Sequence, residues 1–164
     1  MSNSLVVVLA DSVAWAAWSV VVGYLASRMP ADRLAHDGFL TRLRPWERDG
    51  RVYERLAIRS WKDRLPEAGG TSGDGMTKSR LPGRSTDDLH RFMAEARRAE
   101  LVHWAIPLLL PVLALWNPPG LFAAMVVFAV VANVPCLIIQ RYNRARIARI
   151  LARREGRVVL AHAA

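Results

Sequence analysis

Glu100 and His103 are the pair whose residue types and spacing most directly offer chemistry. Three apart on a helix, they share a face and can touch. A carboxylate beside an imidazole fixes its tautomer and raises its basicity, as general-base work requires. Asn133 and Gln140 form a second set, seven apart and so nearly on one face, with Arg144 one turn further. If the two segments run antiparallel, His103 lies about 6 Å from their shared end, counted from Ala99 at 1.5 Å per residue. Gln140 sits near that end and Asn133 about 10 Å from it by the same rise. All four side chains then converge, while Asp11 belongs to the far half of another apolar segment.

Each of these residues also has a plainer reading. Asn133 and Gln140 can bridge helices, a common use of amides in membranes, and His103 can be a satisfied interfacial histidine. Glu100-x-x-His103 matches half of a di-iron carboxylate motif, but no second pair exists. Four histidines are too few for a histidine-box oxygenase, so no metal is expected. His90 and Glu95 imitate a His-x4-acid acyltransferase element, yet five apart on a helix they diverge. The string GGTSGDGMTKS, from Gly69 to Ser79, invites a phosphate-loop reading, but Met76 and Thr77 separate Gly75 from Lys78 and spoil the spacing. Trp15 and Trp18 read as packing or lipid contacts.

The elements that must position these groups are legible from charge. Of 164 residues, 52% are hydrophobic and the net charge is +9. Residues 1–26 and 99–140 hold no Lys or Arg, whereas 27–98 hold 16 and 141–164 hold 7. Long uncharged apolar stretches exclude an ordinary soluble domain, and the abundance of Val, Leu, Ile and Trp excludes disorder. The single Cys136 excludes an intrachain disulfide framework. Three stretches approach the roughly 20 apolar residues of a membrane span: Leu5 to Ala26, Ala99 to Trp116 and Gly120 to Gln140. A cleaved signal peptide would want a basic start, which MSNS lacks. Asn117-Pro118-Pro119 makes the last two spans an antiparallel hairpin. Retention of basic segments on the cytoplasmic side predicts the N-terminus outside and the C-terminus inside.

The expected fold is therefore an all-α integral membrane protein in four parts. Residues 1–26 form the first transmembrane helix and 27–98 a cytoplasmic, interfacial segment; 99–140 form the hairpin and 141–164 a basic tail. Within the second part, Val52, Tyr53, Leu56, Ala57, Trp61 and Leu65 recur at helical spacing. They predict an amphipathic helix lying on the membrane or on its own neighbours. Pro66 to Thr86 reads as a loop, and Ser85 or Thr86 caps the helix that follows. The basic tail reads as an anchor on anionic lipid, not as a nucleic-acid arm.

Three strings together resemble a known family: RSWKDRLPE (59–67), EARRAELVHW (95–104) and ANVPCLIIQRYNRAR (132–146). They are similar to the glycosyl-4,4'-diaponeurosporenoate acyltransferases, small membrane enzymes of staphyloxanthin-type pigment synthesis. The likeness runs from about Pro30 to Arg154, with a less typical loop from Gly69 to Arg84. It implies transfer of a fatty acyl chain to a sugar hydroxyl of a carotenoid glycoside or similar glycolipid, in the cell membrane. On the residues themselves, His103 is expected to deprotonate the acceptor, Glu100 to orient it, and Asn133 or Gln140 to face the oxyanion. Lys62, Trp61, Arg141, Asn143 and Arg144 are expected at the donor, an acyl-CoA-like thioester used as co-substrate with no bound cofactor. The partners are then membrane lipids, the acyl donor and a glycosylated isoprenoid or glycolipid acceptor, and an oligomer is compatible with this reading. The alternative is a non-enzymatic membrane subunit or lipid-binding adaptor whose polar groups only tie helices together.

Overall fold

The structure is a computed structural model that describes residues 2–47, 50–65 and 85–162. Of the loop expected from Pro66 to Thr86, residues 66–84, with the rejected phosphate-loop match, lie outside the described residues. Among those described, every element is a helix or a turn and no strand occurs.

Helix α1 (Ser2–Ser27) is largely apolar, with Asp11 its one acidic or basic residue, and Leu5, Val6, Leu9, Val13, Val20 and Leu25 are each more than half exposed. Helix α7 (Pro119–His162) is 44 residues long, about 66 Å at 1.5 Å per residue. Its first 22 steps, from Pro119 to Arg141, cover about 33 Å, the thickness of a bilayer's hydrocarbon core. Val127, Phe128, Val130, Val131 and Val134 face outward along that stretch. These outward apolar faces belong against lipid, because they exceed what a soluble surface leaves exposed.

Among the described residues, two helices are thus long and apolar enough to cross a membrane, Leu5–Ser27 and Pro119–Arg154. The expected third span is corrected. Helix α5 (Thr86–Ala105) ends at its junction with a 3-10 turn (Ile106–Leu109), which passes into one turn of helix, α6 (Leu110–Leu113). Pro107 and Pro111 each lack the amide that continues an α-helix, so the ladder breaks there. The leg still runs antiparallel to α1: Arg98 donates to the Ala26 carbonyl, Trp18 Nε1 to the Ala105 carbonyl (3.1 Å) and Trp116 Nε1 to Asp11 (2.9 Å). It therefore turns back at the depth of Asp11 instead of reaching the start of α1. The sidedness inferred from three crossings loses that basis.

The polar head packs on the second half of α7. The Ser85 side chain accepts from the Asp88 amide (3.1 Å) and starts α5, whose Leu89, Phe92 and Ala96 bury against Ile147 and Leu151. Helix α2 (Ala31–Ala35) and the following loop lie against α5, while a 3-10 turn (Pro45–Glu47) approaches α7. The amphipathic helix expected from Arg51 to Leu65 is broken into α3 (Arg51–Glu54), α4 (Ile58–Trp61) and a 3-10 turn (Lys62–Arg64). The break is Ala57, held in the left-handed region at φ 51°. It lets Tyr53 and Ile58 both reach Ile139 and Tyr142, so these apolar residues cover α7. The charge boundaries at 98/99 and 140/141 fall inside continuous helices, α5 and α7.

Candidate active site

Arg144 faces inward on α7, three residues beyond Arg141, and its side chain is 0% exposed. A guanidinium so placed demands carboxylates, because an isolated buried charge is prohibitively costly. Three elements supply them. Glu100 of α5, also 0% exposed, accepts from Arg144 through one oxygen and from Arg141 (2.5 Å) through the other. Asp37, after α2, accepts from Arg144 (2.8 Å) and from Arg97 of α5 (2.7 Å). Glu47 takes the other side of Arg141 with both oxygens at 2.7 Å, a bidentate pairing suited to the guanidinium fork. Backbone carbonyls add to the shell, those of Leu40 and Arg42 for Arg141 and that of Thr41 for Arg144, whose Nε stays buried without a partner. Three arginines thus meet three carboxylates, and the network balances its charge.

Tyr53 closes the chain by donating to Glu47. Burial raises the Glu47 pKa, but hydrogen bonds from Arg141, Tyr53 and the Arg44 amide outweigh it and hold the carboxyl at about 2. Burial, and then the Glu47 carboxylate, push the Tyr53 hydroxyl well above its usual range.

One turn further along α5 the chemistry changes. His103 Nδ1 lies 3.0 Å from Asn133 Oδ1, and Asn133 Nδ2 donates to the Ala129 carbonyl (2.9 Å). The bond to Ala129 fixes the orientation of the amide, so Asn133 presents its oxygen to the ring and Nδ1 donates to it. Pro135, just beyond on α7, has no amide to give and so interrupts the ladder of α7 beside this pair. The pair is partly buried and contains an imidazole, whereas the acids and arginines beside it are committed to one another.

The structure therefore brings His103 and Asn133 together, and it places Glu100, Arg141 and Arg144 in one cluster beside them. Both Glu100 oxygens are held by arginine, and the group that sets the His103 ring is Asn133. Arg141 and Arg144, expected at a donor's phosphates, are turned inward because α7 presents them to the acids of the head. Gln140 is buried next to Arg141 in the chain, and Asn143 is buried with its Nδ2 unpartnered. Lys62 pairs with Asp63 (2.5 Å), and Trp61, whose indole donates to the Leu56 carbonyl (2.9 Å), packs against the Tyr53, Ile58, Ile139 and Tyr142 cluster. Among the described residues no group of three His, Cys, Asp or Glu is placed to hold a metal.

Sequence reasoning missed Asp37, Glu47, Arg97 and Tyr53. One signal was available. Arg141 and Arg144 follow Gln140 on a helix that also carries Asn133 one stripe back, so acids from elsewhere in the chain had to answer them. Asp37 and Glu47 stand in a basic stretch between Arg33 and Arg51 and supply that answer.

Comparison with known proteins agrees with the strings in the sequence. The family described as glycosyl-4,4'-diaponeurosporenoate acyltransferase matches residues 36–153. A protein of that name from Staphylococcus haemolyticus is 30% identical over 142 residues, 85% of this chain and 81% of the relative. One from Staphylococcus aureus strain USA300 is 29% identical, covering 85% of each chain. No solved structure matches. The matched region contains the whole ion network and the His103–Asn133 pair.

Proposed function

The chain belongs to the glycosyl-4,4'-diaponeurosporenoate acyltransferase family, and on that premise we propose that it moves a fatty acyl chain from a thioester donor to a sugar hydroxyl of a carotenoid glycoside or similar glycolipid. The observation that carries the reading is the His103–Asn133 pair. His103 Nε2 takes the proton of the acceptor hydroxyl as its oxygen attacks the thioester carbonyl. The resulting oxyanion needs a donor. The second N–H of Asn133 Nδ2 or the buried Gln140 amide supplies it, a contribution typically of about 3–4 kcal/mol. The tetrahedral intermediate then expels the thiolate, which recovers the proton from the imidazolium. Glu100, Arg141 and Arg144 position this pair by locking α5 to α7 one turn away.

The protein is a multi-pass cell-membrane enzyme in this proposal, anchored by α1 and α7. Its basic head lies on the cytoplasmic side, where positive loops are retained. With Arg141 and Arg144 committed to the network, the phosphates of an acyl-CoA-like donor meet the exposed arginines of the head, Arg42, Arg44, Arg55 and Arg59, together with Lys62. The apolar faces of the hairpin take the acyl chain and the lipid part of the acceptor.

The test is reconstitution of the full chain in lipid vesicles with a long-chain acyl-CoA and a glycosylated carotenoid, reading the ester product by mass spectrometry. His103→Gln is expected to lower the rate at least about a hundredfold, the lower range for losing a general base, with thermal stability unchanged. A variant that keeps both its rate and its stability removes His103 from the mechanism.

A further inference from the structure

A groove of about 360 Å³ runs between α1 and the first half of α7, walled by Val8, Trp15, Ala16, Met125 and Phe128 with Asp11 in its lining. Its size is within the range of small-molecule sites, about 300–1,000 Å³. Both helices belong to the spanning pair, so the groove opens to the bilayer and its occupant is a membrane molecule. The wall is apolar apart from Asp11 and Ser12, and the Ser12 hydroxyl is spent on the Val8 carbonyl (2.8 Å).

Asp11 is 2% exposed. Its Oδ1 accepts from Trp116 Nε1 (2.9 Å) and from Asn117 Nδ2 (3.1 Å). Its Oδ2 is buried without a partner, and so is the Oδ1 of Asn117 beside it. Tying the hairpin turn to α1 needs only the first oxygen. The unanswered Asp11 oxygen, on a residue that lines the groove inside a membrane span, marks a place where a ligand completes the bonding.

We propose that this groove binds a long-chain amphiphile that ends in a hydroxyl. The hydroxyl end sits at Asp11, and the chain lies between Trp15, Met125 and Phe128. Hydroxyl chemistry fits either proton state: a protonated Asp11 donates to the hydroxyl and an ionised one accepts from it. A fatty acid would set two carboxyl groups together, and a plain hydrocarbon would leave the Asp11 oxygen unanswered. The site is separate from the acyl-transfer reading, since Phe128 is five residues, about 7.5 Å of helix, from Asn133.

Photocrosslinking tests it with the full chain in phosphatidylcholine nanodiscs. The probes are diazirine-bearing hexadecanol, the hydrocarbon of equal length and palmitic acid. The alcohol is expected to label peptides 8–16 and 121–128 about tenfold more than the hydrocarbon, the ratio given by one net hydrogen bond. Ala124→Phe fills the groove without touching Asp11 or Asn117, and should reduce alcohol labelling to the hydrocarbon level. Asp11→Leu should do the same; if it fails to accumulate, Ala124→Phe decides alone. Equal labelling by alcohol and hydrocarbon, preference for palmitic acid, or undiminished labelling of Ala124→Phe each overturns the proposal and leaves Asp11 as a helix tie only.

Discussion

Glu100 and His103 stand one turn apart on α5 and face the same helix, α7, yet their surroundings are opposite. Around Glu100, three arginines and three carboxylates are matched group for group, with Arg144 Nε left buried without a partner. Around His103, an imidazole meets a side-chain amide. A balanced buried network is rigid, because every member that moves or changes charge strands a partner. The contrast fits the proposed division of roles, in which the charged cluster fixes where α5 lies on α7 and the imidazole one turn deeper carries the proton transfer.

The largest expected effect breaks the charged side of this comparison. Glu100→Gln keeps the shape but leaves one positive charge uncompensated between Arg141 and Arg144, and should destabilise the fold by about 3–5 kcal/mol. Thermal unfolding in detergent measures it. If that variant melts like the parent but loses activity, Glu100 belongs with His103 and the division fails. Next comes the rim of the network. Glu47 is held at about 2, below its ordinary 4.5, so the stability it lends is full above about pH 4.5 and is lost as pH falls through about 2. Tyr53→Phe removes one hydrogen bond to that carboxylate, about 1.5–3 kcal/mol. It should also shift the acid limb of unfolding to higher pH, which circular dichroism across a pH series can follow.

Two smaller changes sharpen the comparison. Asn133→Asp places a carboxylate on His103 in place of the amide. The ring's pKa should rise by about one unit or more, about 1.4 kcal/mol, and the acid limb of the rate profile should move up with it. An unmoved limb would mean that Asn133 does not set the ring. Ala57→Gly relieves the one non-glycine residue at positive φ among those described and should stabilise the head by about 1 kcal/mol, with the rate of acyl transfer unchanged.

Much of this was legible from the sequence alone, because it depends on local pattern. Uncharged apolar runs gave α1 and the first half of α7, Ser85 with Asp87 and Asp88 gave the start of α5, and the Pro-Pro turn gave the hairpin. The stripe through Leu89, Ala96 and His103, with Glu100 beside it, puts both candidate residues on the protein-facing side of α5, and the three strings identified the family. The bonding partners were not legible. Glu100 finds Arg141 and Arg144 at separations of 41 and 44 residues, and Asp37 finds Arg144 at 107. Helical periodicity states which face a residue occupies; it does not state which loop will lie against that face. A charge in the sequence is therefore a reactant, a clamp or a strut according to what the fold sets opposite it, since in a medium of low dielectric the nearest countercharge dominates its energy. Arg144 illustrates this: its position on α7 follows from the sequence, and its commitment to Glu100 and Asp37 follows only from the packing of α5 and the head against it.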